Sequence, residues 1–252
     1  HQFFPKRELE TIEYSIEDTY RGLYQQIRGY LGRPRKEQPV KPVKDELTFA
    51  RYGLWHYVLP EKRHKEPYAN LKRAGVNLRG LMRVLLFKRF ESSVYAFKQS
   101  VLKMLDVHRR FLAALDEGIV PAGDEAQAIL YEPNQQEEQD IQDIMEALRQ
   151  AAGKYPASDF DIVRLREHIK HDIDLYEKIL ELVEPITPAQ DAKLQTLIKL
   201  LESERLKDKK RLIFTQYADT AKYLFENLNP NEARDDIEVI YSSDKNKACV
   251  VG

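Results

Sequence analysis

RLIFTQYADTAKYLFENL, residues 211–228, is the stretch on which the reading of this chain turns. Lys209, Lys210 and Arg211 lead into Leu212-Ile213-Phe214, a short apolar run that reads as a buried strand. Two polar residues, Thr215 and Gln216, close it. Ala218, Ala221, Leu224, Phe225 and Leu228 then recur at the spacing of one helix face. Strand, polar turn and helix together form the opening unit of an open α/β sheet, whose ligands sit beyond the carboxyl ends of the strands. On spacing alone this is a βα unit of any α/β domain.

Upstream of it the chain reads as helix. Residues 8–14 fit a strand, and 17–31 a helix with Tyr20, Leu23, Tyr24, Ile27 and Leu31 on one side. Three prolines among many charges make 33–46 a linker. Leu47, Ala50, Leu54 and Val58 predict a helix over 45–58, with Asp45 as its N-cap. Tyr52, Trp55 and Tyr57 crowd that segment and read as helix packing, since such rings bury a large area. Two further helices are predicted over 66–74 and 77–90.

Ser92 or Ser93 caps a long helix that Gly118 ends. An acidic loop over 121–135 and a helix over 136–152 follow. Ile162, Leu165, Ile169, Ile173, Tyr176, Leu180 and Val183 then predict a long amphipathic helix ended by Pro185. Thr187-Pro188 opens the next one. Such stripes bury themselves only against one another. The expected fold is therefore mainly α, an antiparallel bundle or coiled-coil insertion, with a small incomplete α/β unit at the C-terminus. Strand is expected only near 8–14, 211–215 and 237–241.

Composition narrows the class. Charged residues reach 32%, which suits long solvated helices. The single cysteine, Cys249, rules out a disulfide framework. No apolar run approaches the length of a membrane span and no signal peptide opens the chain, so a cytoplasmic protein without a membrane partner is expected.

Charge is segregated along the chain. Residues 61–110 hold thirteen Lys/Arg against four Asp/Glu, whereas 116–146 hold ten Asp/Glu and no Lys/Arg. The basic block, with Arg63, Lys65, Lys72, Arg73, Arg79, Arg83, Lys88 and Arg89, reads either as a phosphate-facing surface or as a solvated helix face neutralised by the acidic block. No aromatic interleaves its cations in the way single-strand stacking would want, which favours tracking of a duplex backbone. His108 lies among the inward positions of its helix. His168 and His171 stand i, i+3 beside Asp172 and read as a charged, exposed face rather than a metal site.

Residues 208–228 resemble the start of the second RecA-like lobe in superfamily-2 helicases of the Swi/Snf type. Residues 191–204, DAKLQTLIKLLESE, resemble the helix that precedes that strand. Residues 81–101, LMRVLLFKRFESSVYAFKQSV, are similar to a basic, serine-pair segment of bacterial or archaeal RapA-like members. Residues 3–27 resemble the end of the first lobe. The four landmarks follow the family's order.

The resemblance implies four regions. These are the end of lobe one with its exit helix (1–32), a linker (33–46), a helical insertion (47–186), and a lead-in helix with the truncated start of lobe two (187–252). It implies ATP and Mg²⁺ as cofactors of the full-length parent. No phosphate loop, acidic metal-holding motif or arginine finger is found in these residues, so the 252-residue chain is expected to use no cofactor and to be inactive as an ATPase. It further implies a double-stranded partner, taken as DNA, held through its backbone. Thr215 and Gln216 are the expected phosphate donors of lobe two, with Arg79, Arg83, Lys88 and Arg89 those of the insertion. The competing expectation is a helical adaptor that binds a protein through its coiled-coil face.

Overall fold

The computed structural model describes residues 9–32, 44–66, 68–122, 154–207 and 209–241. Seven α-helices dominate these residues, and a two-stranded ladder is the one sheet among them. The molecule is mainly helical.

Two long helices form its spine. Helix α4, Val94–Asp116, starts where the Ser93 hydroxyl accepts from the Ala96 amide at 3.1 Å, and it ends before Gly118, whose φ of +79° suits glycine. Helix α5, Ile162–Val183, starts on Asp161, whose carboxylate accepts from the Arg164 amide. The two run antiparallel. Lys98 pairs with Glu184, Arg109 with Glu177, and Arg166 with Asp116. Between them lie the buried Phe97, Val101, Met104 and Phe111 of one helix and Leu165, Ile169, Tyr176 and Ile179 of the other. At one end, β1 (Ile119–Pro121) pairs antiparallel with β2 (Lys154–Pro156), with Val120 opposite Tyr155. No strand was expected there.

Helix α3, Tyr68–Ser92, packs on α4 and on the turns of 50–57, with Leu78, Met82, Leu86 and Phe90 buried. It is one continuous helix where two were expected. An interior glycine costs about 1 kcal/mol relative to alanine. Burial of apolar residues on both sides of Gly75, Leu71 before it and Leu78 after it, outweighs that cost. Conversely, the helix expected over 17–31 is two helices, α1 (Ile16–Tyr20) and α2 (Tyr24–Leu31). Arg21 and Gly22 break it, both left-handed at φ 49° and 85°.

The helix expected over 45–58 is replaced by two 3₁₀ turns, Ala50–Tyr52 and Leu54–Tyr57. Its four marker residues are buried all the same. The backbone amides that a helix would point along its axis point instead at the Asp172 carboxylate. Helices α6 (Ala192–Glu202) and α7 (Ala218–Leu228) complete the described fold. Asp191 caps α6 through the Leu194 amide, after a Pro188–Gln190 3₁₀ turn boxed by Thr187 and Gln190. The helix expected at 136–152, and most of the acidic block and of the linker, fall outside the described residues.

The expected strands are not ladder strands. Residues 9–14, 211–215 and 237–241 carry no sheet pairing. Leu212 and Phe214, read from sequence as buried, are 84% and 88% exposed. A strand is defined by its partner, and the described residues supply none beside this run. Among the described residues, no helix is long and apolar enough to cross a membrane.

Candidate nucleic-acid interface

Helix α7 is the element that positions Thr215 and Gln216. Thr220 and Tyr223 are its buried, bundle-facing residues, whereas its apolar stripe, Ala218, Ala221, Leu224, Phe225 and Leu228, is not buried and lines an open groove on the other side. The chain reaches it along an extended run whose side chains from Lys209 to Gln216 are exposed, and it turns inward only at Tyr217, 4% exposed. Lys209, Lys210, Thr215 and Gln216 line, with residues 236–241, the same open groove of about 870 Å³. Two ammonium groups, a hydroxyl and an amide on one exposed run can donate to phosphate oxygens without reading bases. Arg211 also donates to the Leu201 carbonyl, which ties the run to the end of α6.

The four cations of α3 expected at phosphates divide. Lys88 is exposed on α3. Arg79 and Arg83 are half-buried and face inward. Arg79 donates to the Thr48 carbonyl at 3.1 Å. Arg83 donates to the Leu31 carbonyl at 3.1 Å, with its guanidinium 5.0 Å from the Phe49 ring. Arg89 is wholly buried, pairs with Asp219 at 2.8 Å and lies 4.3 Å over the Tyr217 ring. Arg63, also in the basic block, donates to the Val58 carbonyl. Among the described residues, these arginines meet backbone carbonyls and one carboxylate of α7. The reason is geometric: a planar guanidinium can satisfy a buried carbonyl while its stem lies on apolar surface.

Around Arg89 is a polar junction that sequence reasoning missed. The hydroxyls of Ser92 and Ser93 meet that of Thr220 at 3.0 and 3.2 Å. Lys193 donates to the Ser92 carbonyl at 2.9 Å. Tyr223 donates to the second oxygen of the α6 cap, Asp191, and stacks on Tyr95. Burial, and after it the carboxylate, raises the Tyr223 phenol far above its ordinary range. Asp219 in the first turn of a helix was the available signal, since acids there commonly face a partner as well as the helix dipole.

The histidines also call for correction. The face read as charged and exposed is internal. His168, Asp172 and His108 are all buried. Asp172 accepts from the Thr48 amide at 2.6 Å, the Thr48 hydroxyl at 2.9 Å and the Ala50 amide at 3.2 Å. His168 shares a 2.6 Å hydrogen bond with the Tyr57 hydroxyl, and His171 is 2.9 Å from the Glu46 carbonyl. His108 donates through Nδ1 to the Met104 carbonyl, so its Nε2 is the bare nitrogen, 4.0 Å from Asp172. Burial pushes Asp172 up to about 6 and His108 down to about 4. Asp172, His168 and His171 are all engaged in holding segment 46–57 on α5, so the cluster is a fastening. Among the described residues, no three His, Cys, Asp or Glu side chains converge as a metal-holding group. No family model, curated protein or solved structure matches the chain.

Proposed function

We propose that this chain is the connecting part of an ATP-dependent, nucleic-acid-translocating motor of the Swi/Snf type. In this reading it links the two motor lobes and touches the backbone of a DNA duplex, while ATP and Mg²⁺ belong to the full-length parent. The observation that carries it is the exposed run from Lys209 to Gln216. Its donors stand at the opening of α7, in the position where an α/β unit presents polar groups to a ligand. The arginines support the same assignment indirectly, since they hold that unit and the loop 46–57 on one body.

The test is duplex binding at several salt concentrations. Replacing Lys209 and Lys210 together by alanine should weaken binding to every duplex sequence alike and lower the slope of log K against log salt by about 0.9 for each phosphate no longer neutralised. Unchanged affinity and slope would remove the run from the interface. A second reading, a helical adaptor for a protein partner, is favoured by one feature, the exposure of Leu212 and Phe214. It predicts that Leu212→Ser with Phe214→Ser abolishes partner capture while the lysine pair is silent.

A further inference from the structure

Arg89 stands where α3, the start of α4 and the start of α7 meet. Its guanidinium has no exposed surface, so it cannot reach a duplex from where it lies. Two of its partners lie close together on one short segment. The Tyr217 ring, the last residue before α7, lies beneath it, and the Asp219 carboxylate, in the first turn, takes its Nη1. One residue further on, Thr220 meets Ser92 and Ser93. Ser93 is also the N-cap of α4. The direction in which the chain enters α7 is thus set by three points on one turn that rest on α3 and α4. Thr215 and Gln216 are the residues immediately before the first of these.

We propose that Arg89 is a positioning residue for the 209–216 interface: buried between Tyr217 and Asp219, it fixes the angle at which Thr215 and Gln216 are presented. This rests on the reading of that run as a phosphate contact, and it reassigns Arg89 from contact to support. A planar donor that both stacks and pairs is required. Lysine keeps the charge but cannot lie flat on the ring while it donates to the carboxylate.

The experiment uses the full 252-residue chain and a fluorescently labelled DNA duplex, with the binding-competent fraction fixed by stoichiometric titration. Arg89→Lys and Asp219→Asn should each raise Kd about tenfold in the competent fraction and leave the salt slope unchanged, because the same phosphates stay neutralised. Their combination should add little to either alone. Thr220→Val, a milder change at the same junction, should act in the same direction if Arg89→Lys fails to fold. Amide exchange at 217–221 should quicken in all of these.

A purely structural role would lower the competent fraction and spare Kd, which overturns the proposal. A slope reduced by about 0.9 in Arg89→Lys would make Arg89 itself a phosphate ligand, which also overturns it. Wild-type affinity in Arg89→Lys, Asp219→Asn and Thr220→Val overturns positioning but leaves the interface standing if the Lys209/Lys210 variant is weakened. No duplex binding by the unaltered chain overturns the interface itself.

Discussion

Replacing Asp172 by alanine should loosen segment 46–57 from the bundle, and the structure allows the size of the effect to be worked out. The carboxylate accepts three hydrogen bonds. They do not all vanish outright. The Ala50 amide also lies 3.0 Å from the Thr48 hydroxyl and keeps that partner. The Thr48 amide becomes a buried orphan, at about 1–3 kcal/mol. The Thr48 hydroxyl forfeits its acceptor at about 1 kcal/mol, and the void left by the side chain adds about 1 kcal/mol more. Against these, a desolvated carboxylate is removed, which returns part of the sum. The net is about 3 kcal/mol, a large fraction of the ~5–15 kcal/mol of an ordinary domain. With a urea slope of about 3 kcal/mol/M, the midpoint falls by about 1 M.

Asp172→Asn should cost less, about 1–2 kcal/mol. The asparagine carbonyl can still take the Thr48 amide, and the Thr48 hydroxyl can turn to accept from the new NH₂. The assay is urea unfolding followed by the emission of Trp55. This is the sole tryptophan and lies within the fastened segment, so it reports local detachment directly. A loss below about 0.5 kcal/mol for the alanine variant would refute the fastening argument. So would an asparagine variant weaker than the alanine one.

The same cluster fixes the sign of the pH dependence. Asp172, raised to about 6, contributes stability that is full below its ordinary 3.8 and is lost as pH rises through 6. His108 and His56, both lowered to about 4 chiefly by burial, act oppositely, since their contribution is full above 6.5 and is lost as pH falls toward 4. Two histidines outweigh one carboxyl, so the urea midpoint should drop between pH 6.5 and 4, and Asp172→Asn should make the drop steeper. A shallower drop in that variant contradicts the assignment. At Gly53 an added methyl would run into the side chain of Arg79, whose guanidinium donates to the Thr48 carbonyl. Gly53→Ala should therefore cost about 1–3 kcal/mol in thermal or urea unfolding, and a neutral result would show that Arg79 swings away freely.

The long helices α4 and α5 were legible because their stripes persist from end to end, and the caps at Ser93 and Gly118 mark one of them at both ends. Segment 47–58 shows where periodicity stops informing. Leu47, Ala50, Leu54 and Val58 are all buried, as their spacing predicts, yet the backbone is not an α-helix. A spacing of three and four marks which residues go inside. It cannot register that Phe49 is left-handed at φ 52° because a distant carboxylate holds the amides on either side of it. That carboxylate was itself misplaced. His168 and Asp172 fall between Leu165, Ile169, Ile173 and Tyr176 on the same stripe, and position outweighs the usual exposure of charged residues once each group finds a partner. The apolar run 212–214 fails in the other direction, since burial of a strand depends on neighbours that local composition does not name.

The basic residues carry the same lesson into function. Arg79, Arg83 and Arg89 flank the apolar face of α3, beside Leu78, Met82, Leu86 and Phe90, and all three turn to internal acceptors. Lys88, Lys209 and Lys210 stay in solvent. A compact, strongly hydrated ammonium gains little from burial, whereas a guanidinium can stack and donate within it. A linear count of positive charge therefore merges two populations: arginines that hold Leu31, Thr48 and α7 on one body, and lysines available to a polyanion. If the exposed run meets a duplex, the salt slope is set by the lysines, and alanine at Arg79 or Arg83 lowers stability while leaving that slope alone. A slope that falls with Arg83→Ala would mean that α3 parts from α2 on binding, because only then does its guanidinium leave the Leu31 carbonyl for a phosphate.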